Sequence, residues 1–198
     1  LNTAFMQDGF FLYLSPNTEL EQPVHVVFLS STNADGMAQP RNLIVAETGS
    51  RAKVVEHYAS LGDGAYFTNA VTEIAAHADS HVEHFKLQEE SAKTLHVASL
   101  DVHQAGASRF DSHVMLLGGQ LTRNAIRTAL DDDGAECNLY GLYLLEGRQH
   151  ADNHTRVEHR KPSCTSKEYY KGVLGGHARG IFTGRVLVAQ DAQNTDSQ

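Results

Sequence analysis

Residues 119–147, GQLTRNAIRTALDDDGAECNLYGLYLLEG, contain two apolar segments of strand length, each followed by a turn signal. Gly119, Gly134 and Gly147 punctuate this stretch at intervals of 15 and 13 residues. A step of this length holds one strand and one turn, and it leaves no room for a crossover helix. The stretch therefore predicts strands that follow one another around a common axis.

The same step recurs along most of the chain. Turn signals follow one another at gaps of 13 to 15 residues, at Gly49, Gly64, Asp79, Ala92, Gly106, Gly119, Gly134, Gly147, Pro162 and Gly176. Short runs such as SHVMLLGG and GRVLVAQ lie between these signals and are rich in residues that favour strands. A repeat of about fourteen residues per half-coil predicts an all-β fold, a parallel β-helix or solenoid, whose coils stack about 4.8 Å apart.

Periodicity alone leaves two other folds open. Residues 70–76 (AVTEIAA) and 121–130 (LTRNAIRTAL) carry apolar residues near helical spacing, which would suit an α+β fold. A flat β-sandwich would also be built from short strands separated by turns. The regular turn spacing favours the solenoid over both.

Composition limits the classes of function. A chain of 198 residues suits one domain, 1–198, and its formal charge of −8 without a basic cluster argues against nucleic acid and anionic membranes as partners. Two cysteines, no signal peptide and no long apolar span favour a reducing cytoplasm. The first residue, Leu1, and the polar end DAQNTDSQ suggest a segment of a longer protein.

The stretch GRQHADNHTRVEHRKPSCTSKEYYKG holds the strongest candidates for a metal site, His150, His154, His159 and Cys164. Imidazoles and thiolates are the ligands that zinc and iron centres use. On a strand, however, His159 has the opposite parity to His150 and His154, so convergence would need a neighbouring coil, for instance Cys137 or His113 near Cys164. We therefore interpret the four as surface or ladder residues, with a metal site as the alternative.

Other motifs are weaker. The run Asp131-Asp132-Asp133-Gly134 is acidic but lacks the alternating oxygen ligands of a calcium loop, so it predicts a solvated turn. The triplet 153–155 (NHT) matches a glycosylation acceptor. No nucleophile with an adjacent base stands out, and the sequence predicts no catalytic residue and no bound cofactor.

Several stretches together resemble the SufB/SufD family of iron–sulfur cluster assembly scaffold proteins, and most of all its SufD branch. They are LNTAF, PRNLIVAE, YFTNAVTEI, HFKLQEES, GAECNLYGLYL, DNHTRVEHRKPSCTSKEYYKGVL and ARGIFTGRVLVAQDAQNTD. The similarity covers nearly the whole chain in the same order, and residues 152–174 form its most specific block.

The resemblance implies a right-handed parallel β-helix that acts as a non-catalytic scaffold. It implies a SufB-like β-helix subunit and an ABC-type ATPase subunit as partners, with a homodimer as a further possibility and a cluster only at the level of the complex. The cysteine and histidine that the family uses for cluster building, and the helical region that docks the ATPase, lie outside the similar segments. No residue of this chain inherits those roles.

Two other classes of function stay open. A cupin-like β-barrel enzyme would bind a catalytic metal through strand residues such as His154, Glu158 and His159, although no His-x-His pair is present. A carbohydrate-active β-helix would need aromatic platforms along a groove, and the chain has no tryptophan.

Overall fold

The structure, a computed structural model, describes residues 1–31 and 36–198. Within these residues, one helical turn, Asn2–Phe5, precedes fifteen strands. The strands are β1 (Phe11–Leu14), β2 (Val24–Ser31), β3 (Gly36–Ala38), β4 (Arg41–Ala46), β5 (Arg51–Leu61), β6 (Tyr66–Ala76), β7 (His81–Glu89), β8 (Leu95–Gln104), β9 (Arg109–Leu116), β10 (Leu121–Leu130), β11 (Glu136–Leu145), β12 (His150–His159), β13 (Thr165–Leu174), β14 (Arg179–Val188) and β15 (Asp196–Ser197).

The strands alternate between two parallel sheets. Sheet I has the order β1-β4-β6-β8-β10-β12-β14, with β3 also beside β6, and sheet II has the order β2-β5-β7-β9-β11-β13-β15. Each pairing between these strands is parallel. The chain thus winds into a β-solenoid of about 6 turns, as the turn spacing predicted.

The register fixes the length of one coil. Leu121 pairs with Leu95 on one side and with His150 on the other, and His150 pairs with Arg179. A full coil therefore takes between 26 and 29 residues at these positions. This confirms a repeat of about fourteen residues per half-coil, because each coil contributes one strand to each sheet.

The two segments with near-helical spacing are strands, β6 and β10, so an α+β fold is wrong. Alternate residues of β10, from Thr122 to Leu130, are buried inside the solenoid while their neighbours face outward. The buried positions of β10 hold Thr and Asn as well as apolar residues. A pattern based on apolar residues alone leaves these polar positions out, which explains why the remaining spacing resembled that of a helix. The parallel pairing also excludes a β-sandwich of antiparallel hairpins.

At most of the predicted turn positions, that residue or the one directly after it lies in the left-handed region of backbone conformation. Gly134 and Gly147 have φ values of 72° and 62°, where glycine is favoured because it has no Cβ. Asp79 and Ser163 adopt similar angles, with φ of 58° in both. At these corners the chain passes from one sheet to the other.

Inside the solenoid, side chains of like position stack along the axis. Ile44, Ile74 and Val102 lie in register on β4, β6 and β8 and are fully buried. Because stacked coils bring inward side chains of neighbouring strands together, polar residues that point inward also meet one another.

Candidate functional site

Strand β12 carries three of the four candidate metal ligands, but on two opposite faces. No turn interrupts the strand, so His150 and His154 both face outward and are partly exposed. His154 Nε2 lies 2.8 Å from Asp152 Oδ1, close enough for an ion pair when the imidazole is protonated. These two histidines belong to the outer surface of sheet I.

His159 and Cys164 instead point into the solenoid. His159 is buried, its Nε2 lies 2.9 Å from Ser166 Oγ, and burial lowers its pKa. Cys164 is buried in the turn after β12, where its Sγ donates to the carbonyl oxygen of Asp132 at 3.3 Å. Burial raises the pKa of this thiol, so at neutral pH it is not the thiolate that metals bind.

The residues considered as additional ligands also lie apart. Cys137 is buried on the inner face of β11, and burial raises its pKa to about 12. His113 faces outward on β9, stacked between Phe85 and Tyr140 at ring distances of 4.6 Å and 5.1 Å. Across residues 1–31 and 36–198, no three His, Cys, Asp or Glu side chains converge in a way that could hold a metal ion.

The cupin-like arrangement is not formed either. Glu158 faces outward and pairs with Arg156 and Arg160, while His159 faces inward. An open solenoid of parallel strands also has no closed barrel to enclose a metal. The structure therefore contradicts the β-barrel alternative.

The two remaining motifs lie in ordinary structural settings. Residues 131–134 form the turn after β10, where Asp131 accepts a hydrogen bond from Arg160 Nη1 at 2.7 Å. Asn153, the residue of the glycosylation motif that would carry the glycan, is buried on the inner face of β12. Its side chain is therefore out of reach of a modifying enzyme in the folded protein.

Ionisable side chains gather inside the solenoid at β5, β6 and β7. Glu56 is 2% exposed, and its carboxylate accepts hydrogen bonds from Tyr58 Oη and Thr72 Oγ1, both at 2.7 Å. His84 Nε2 lies 3.1 Å from the same carboxylate. Asn42 Nδ2 donates to Thr72 Oγ1 at 3.0 Å and extends the network to β4.

A second buried carboxylate, Glu90, directly follows β7. It accepts hydrogen bonds from Thr68 Oγ1 and from Gln88 Nε2, the latter at 3.0 Å. His96 Nδ1 lies 2.6 Å from Glu90 Oε2, and the Tyr58 ring packs edge-on against the His96 ring. The two carboxylate networks therefore meet at Tyr58.

Lys86 is the one buried lysine of this cluster, at 6% exposure. Its Nζ donates to Asn124 Oδ1 and lies 5.3 Å from the centre of the Tyr58 ring. A cavity of about 20 Å³ borders Lys86, Asn124 and His84, enough room for one water molecule. Asn124 Nδ2 and His84 Nδ1 have no hydrogen-bond partner among the described residues, so both have hydrogen-bonding capacity left for such a water.

The pKa values of the cluster follow from these contacts. Burial alone would raise the pKa of Glu56, but the hydrogen bond and the charge of His84, together with the hydrogen bonds of Thr72 and Tyr58, lower it to about 2. Burial would also raise the pKa of Glu90, but the charge and the hydrogen bond of His96, its main partner, lower it to about 2. Burial lowers the pKa of Lys86 to about 8 against the attraction of both carboxylates. At neutral pH the cluster therefore holds fixed charges, and such acidic carboxylates are poor proton acceptors.

Sequence reasoning missed this cluster, and the reason lies in the tripeptide Val-Glu-His. The tripeptide occurs at 55–57, 82–84 and 157–159. In the first copy the glutamate points inward, and in the other two the histidine does. Only the register with neighbouring coils reveals which polar residue is inside, so the pattern of one strand carries no usable signal.

The last strand of sheet I presents an open edge. Among the described residues, β14 pairs on one side only, with β12. Its inward-facing Phe182, Val186 and Val188 are 42%, 40% and 53% exposed. The unpaired backbone groups and apolar side chains of such an edge form a template for another strand.

Comparison with known proteins agrees with this architecture. Residues 28–198 match the family described as SUF system FeS cluster assembly, SufBD core domain. The chain is 30% identical over 207 residues to an iron–sulfur cluster assembly SufBD family protein of Synechocystis sp., covering 100% of this chain and 46% of that protein. It is 33% identical over 150 residues to the iron–sulfur cluster assembly protein SufD of Escherichia coli, covering 76% of this chain and 36% of SufD.

A SufBD family protein of Staphylococcus epidermidis is 26% identical over 202 residues, which cover 100% of this chain and 42% of that protein. The chain thus spans less than half of the length of these relatives. The family match extends from β2 to the last residue and includes the buried cluster and the open edge of β14. The chain therefore belongs to the SufBD family of iron–sulfur cluster assembly proteins.

Proposed function

We propose that this chain is the core of a non-catalytic scaffold subunit that supports iron–sulfur cluster assembly in the cytoplasm. In this proposal, residues 1–198 form one rigid domain that pairs with a SufB-like β-helix subunit, and the complete protein works with an ABC-type ATPase. Membership of the SufBD family supports the role in cluster assembly. Among the described residues, no helix is long and apolar enough to span a membrane.

The proposed pairing with a second solenoid rests on the open edge of β14. A second solenoid can add a strand beside β14, satisfy its free N–H and C=O groups, and cover Phe182 and Val186. The edge of β13 offers a smaller second surface, because β15 pairs with only two of its residues, Thr165 and Ser166. Either a SufB-like partner or another copy of this chain fits this description.

The chemistry of the described residues supports a platform rather than a catalyst. The buried carboxylates are ionised inside the solenoid, and both thiols have raised pKa values, so neither set provides a reactive group at the surface. The cluster would then be cargo that the assembled complex handles. We expect no iron–sulfur cluster on this segment alone.

Co-purification tests the proposal. The complete protein and the 198-residue segment would each be co-expressed with the SufB-like subunit and the ATPase subunit. We expect both forms to retain the SufB-like subunit, and only the complete protein to retain the ATPase. Failure of both forms to bind either subunit would contradict the scaffold proposal, and so would a stoichiometric cluster on the segment that requires Cys164.

Charged substitutions locate the contact. Phe182→Asp and Val186→Lys place a charge on the proposed pairing edge, and we expect at least a tenfold loss of affinity for the SufB-like subunit. Leu43→Asp is the matched control, because Leu43 is 39% exposed on the outer face of β4 at the other end of sheet I. Equal effects of the three variants would place the interface elsewhere.

A further inference from the structure

A second cavity lies at the N-terminal end of the solenoid interior. Its volume is about 120 Å³, and its walls include the rings of Phe28 and Tyr66, with Pro40 beside them. Thr68 and Glu90, which are buried, and Asp8, which is exposed, also line it. The cavity thus combines aromatic walls with two carboxylates.

The interior beside this cavity holds two ionised carboxylates together with a buried lysine and two histidines. Glu56 and Glu90 are both ionised at neutral pH, and the protonated Lys86 balances one of them. Of the two carboxylates, Glu90 is the one that lines the cavity. A cation placed nearby would be attracted more strongly there than at the surface.

The carboxylate of Glu90 has capacity left for a ligand. Its Oε2 is used by Gln88 and His96, whereas Oε1 accepts one hydrogen bond from Thr68 Oγ1. An oxygen of a carboxylate accepts two hydrogen bonds, so one position on Oε1 is free. Thr68 and Glu90 both line the cavity, so this oxygen and its hydrogen-bond donor belong to residues of the cavity wall.

The aromatic wall already packs against one ammonium group. Phe28 stacks on Tyr58 with ring centres 4.7 Å apart and an interplanar angle of 12°, and Lys86 Nζ lies over the Tyr58 ring. Phe28 also borders the cavity, so a second cation can interact with its ring there. An aromatic face with nearby carboxylates is the setting that proteins use to bind organic ammonium groups.

We propose that this cavity binds a small primary ammonium group, held between the ring of Phe28 and the carboxylates of Glu90 and Asp8. Three N–H donors and one short alkyl chain suit the two carboxylates and the apolar wall. A volume of about 120 Å³ admits a ligand of a few non-hydrogen atoms. The ligand is either a free alkylamine or the end of a lysine side chain, which share this chemistry.

Titration with ethylammonium chloride tests the proposal, followed by the NMR signals of the Phe28 and Tyr66 rings. We expect saturable shifts with a Kd on the order of 1 mM, which is typical of the best ligands of three non-hydrogen atoms. Ethanol has the same size without the charge and should bind at least tenfold more weakly. The second probe is Nα-acetyl-lysine amide, whose ε-ammonium group is free. Tighter binding of this probe than of ethylammonium would identify a lysine side chain as the source of the ammonium group.

Variants decide whether the cavity is the binding site. Asp8→Asn and Phe28→Leu should each weaken ethylammonium binding at least fivefold, because each removes one contact with the ammonium group. Asp63→Asn is the matched control, since its side chain is 98% exposed and does not line the cavity. The proposal is wrong if ethylammonium gives no saturable shift, if ethanol binds equally well, or if Asp63→Asn has the effect of Asp8→Asn.

Discussion

At the scale of single residues, Glu56 is the most consequential group in the interior. Its carboxylate is held by Tyr58, Thr72 and His84, and an amide in its place cannot accept the same set of charge-assisted hydrogen bonds. We expect Glu56→Gln to lower the free energy of unfolding by about 2 to 4 kcal/mol at pH 7. Urea denaturation followed by circular dichroism measures this change.

The pH dependence of stability gives Glu56 a distinct signature. Because its pKa falls from 4.5 to about 2 on folding, Glu56 contributes stability that is fully present above pH 4.5 and is lost as the pH falls toward 2. This contribution amounts to about 3 kcal/mol, and Glu56→Gln should remove that part of the acid-induced loss. Glu83→Gln is the control, because Glu83 faces outward to Lys53 and should cost less than about 1 kcal/mol. Identical acid profiles for Glu56→Gln and the unsubstituted protein would show that Glu56 is not held as an ionised buried group.

At the scale of strands, β12 shows how alternation separates two kinds of histidine. His159 is buried against Ser166, so His159→Ala leaves a cavity and an unpaired hydroxyl, and we expect a loss of about 2 kcal/mol. His154 is partly exposed on the outer face, and His154→Ala should change stability by less than about 0.5 kcal/mol. Urea denaturation of both variants, with the metal content of each purified protein, checks this expectation. If both variants lost bound metal, His154 and His159 would share a metal site, and their assignment to opposite faces of β12 would be wrong.

The regular repeat of strand and turn could be predicted from the sequence, whereas the inward polar residues could not. Turn residues such as Gly134 and Gly147 mark corners that only a few residue types tolerate, so the repeat was visible. In contrast, Glu56 and Glu83 occupy similar local sequences, and only the pairing of β5 with β7 decides that the first is inside and the second outside. The buried cluster illustrates this limit, because a binary pattern assigns inner positions to apolar residues. The opposite parity of His159, in contrast, followed from its spacing along β12 and is confirmed.

At the scale of the whole molecule, the solenoid makes stability nearly one-dimensional. Each coil contacts only the coils before and after it, so, among the described residues, an interior strand such as β9 is held on both sides and β14 on one. The ionisable cluster lies in the coils between β4 and β8, away from the open edge. The part of the molecule that holds buried charge is therefore distinct from the part that offers an edge to a partner.

Hydrogen exchange measured by mass spectrometry makes this division testable. We expect amides of β8 to β11 to exchange slowest and those of β14 and β15 to exchange at least a hundredfold faster, because the edge strands can open without disturbing the central coils. Adding the SufB-like subunit should slow exchange in β14 and leave β8 unchanged, since a strand added at the edge satisfies the free groups of β14 alone. An excess of the 198-residue chain itself, added at high concentration, distinguishes pairing between copies from pairing with the partner. Uniform exchange along the chain, or protection by the partner that falls on the outer face of sheet II, would contradict an end-to-end contact between solenoids.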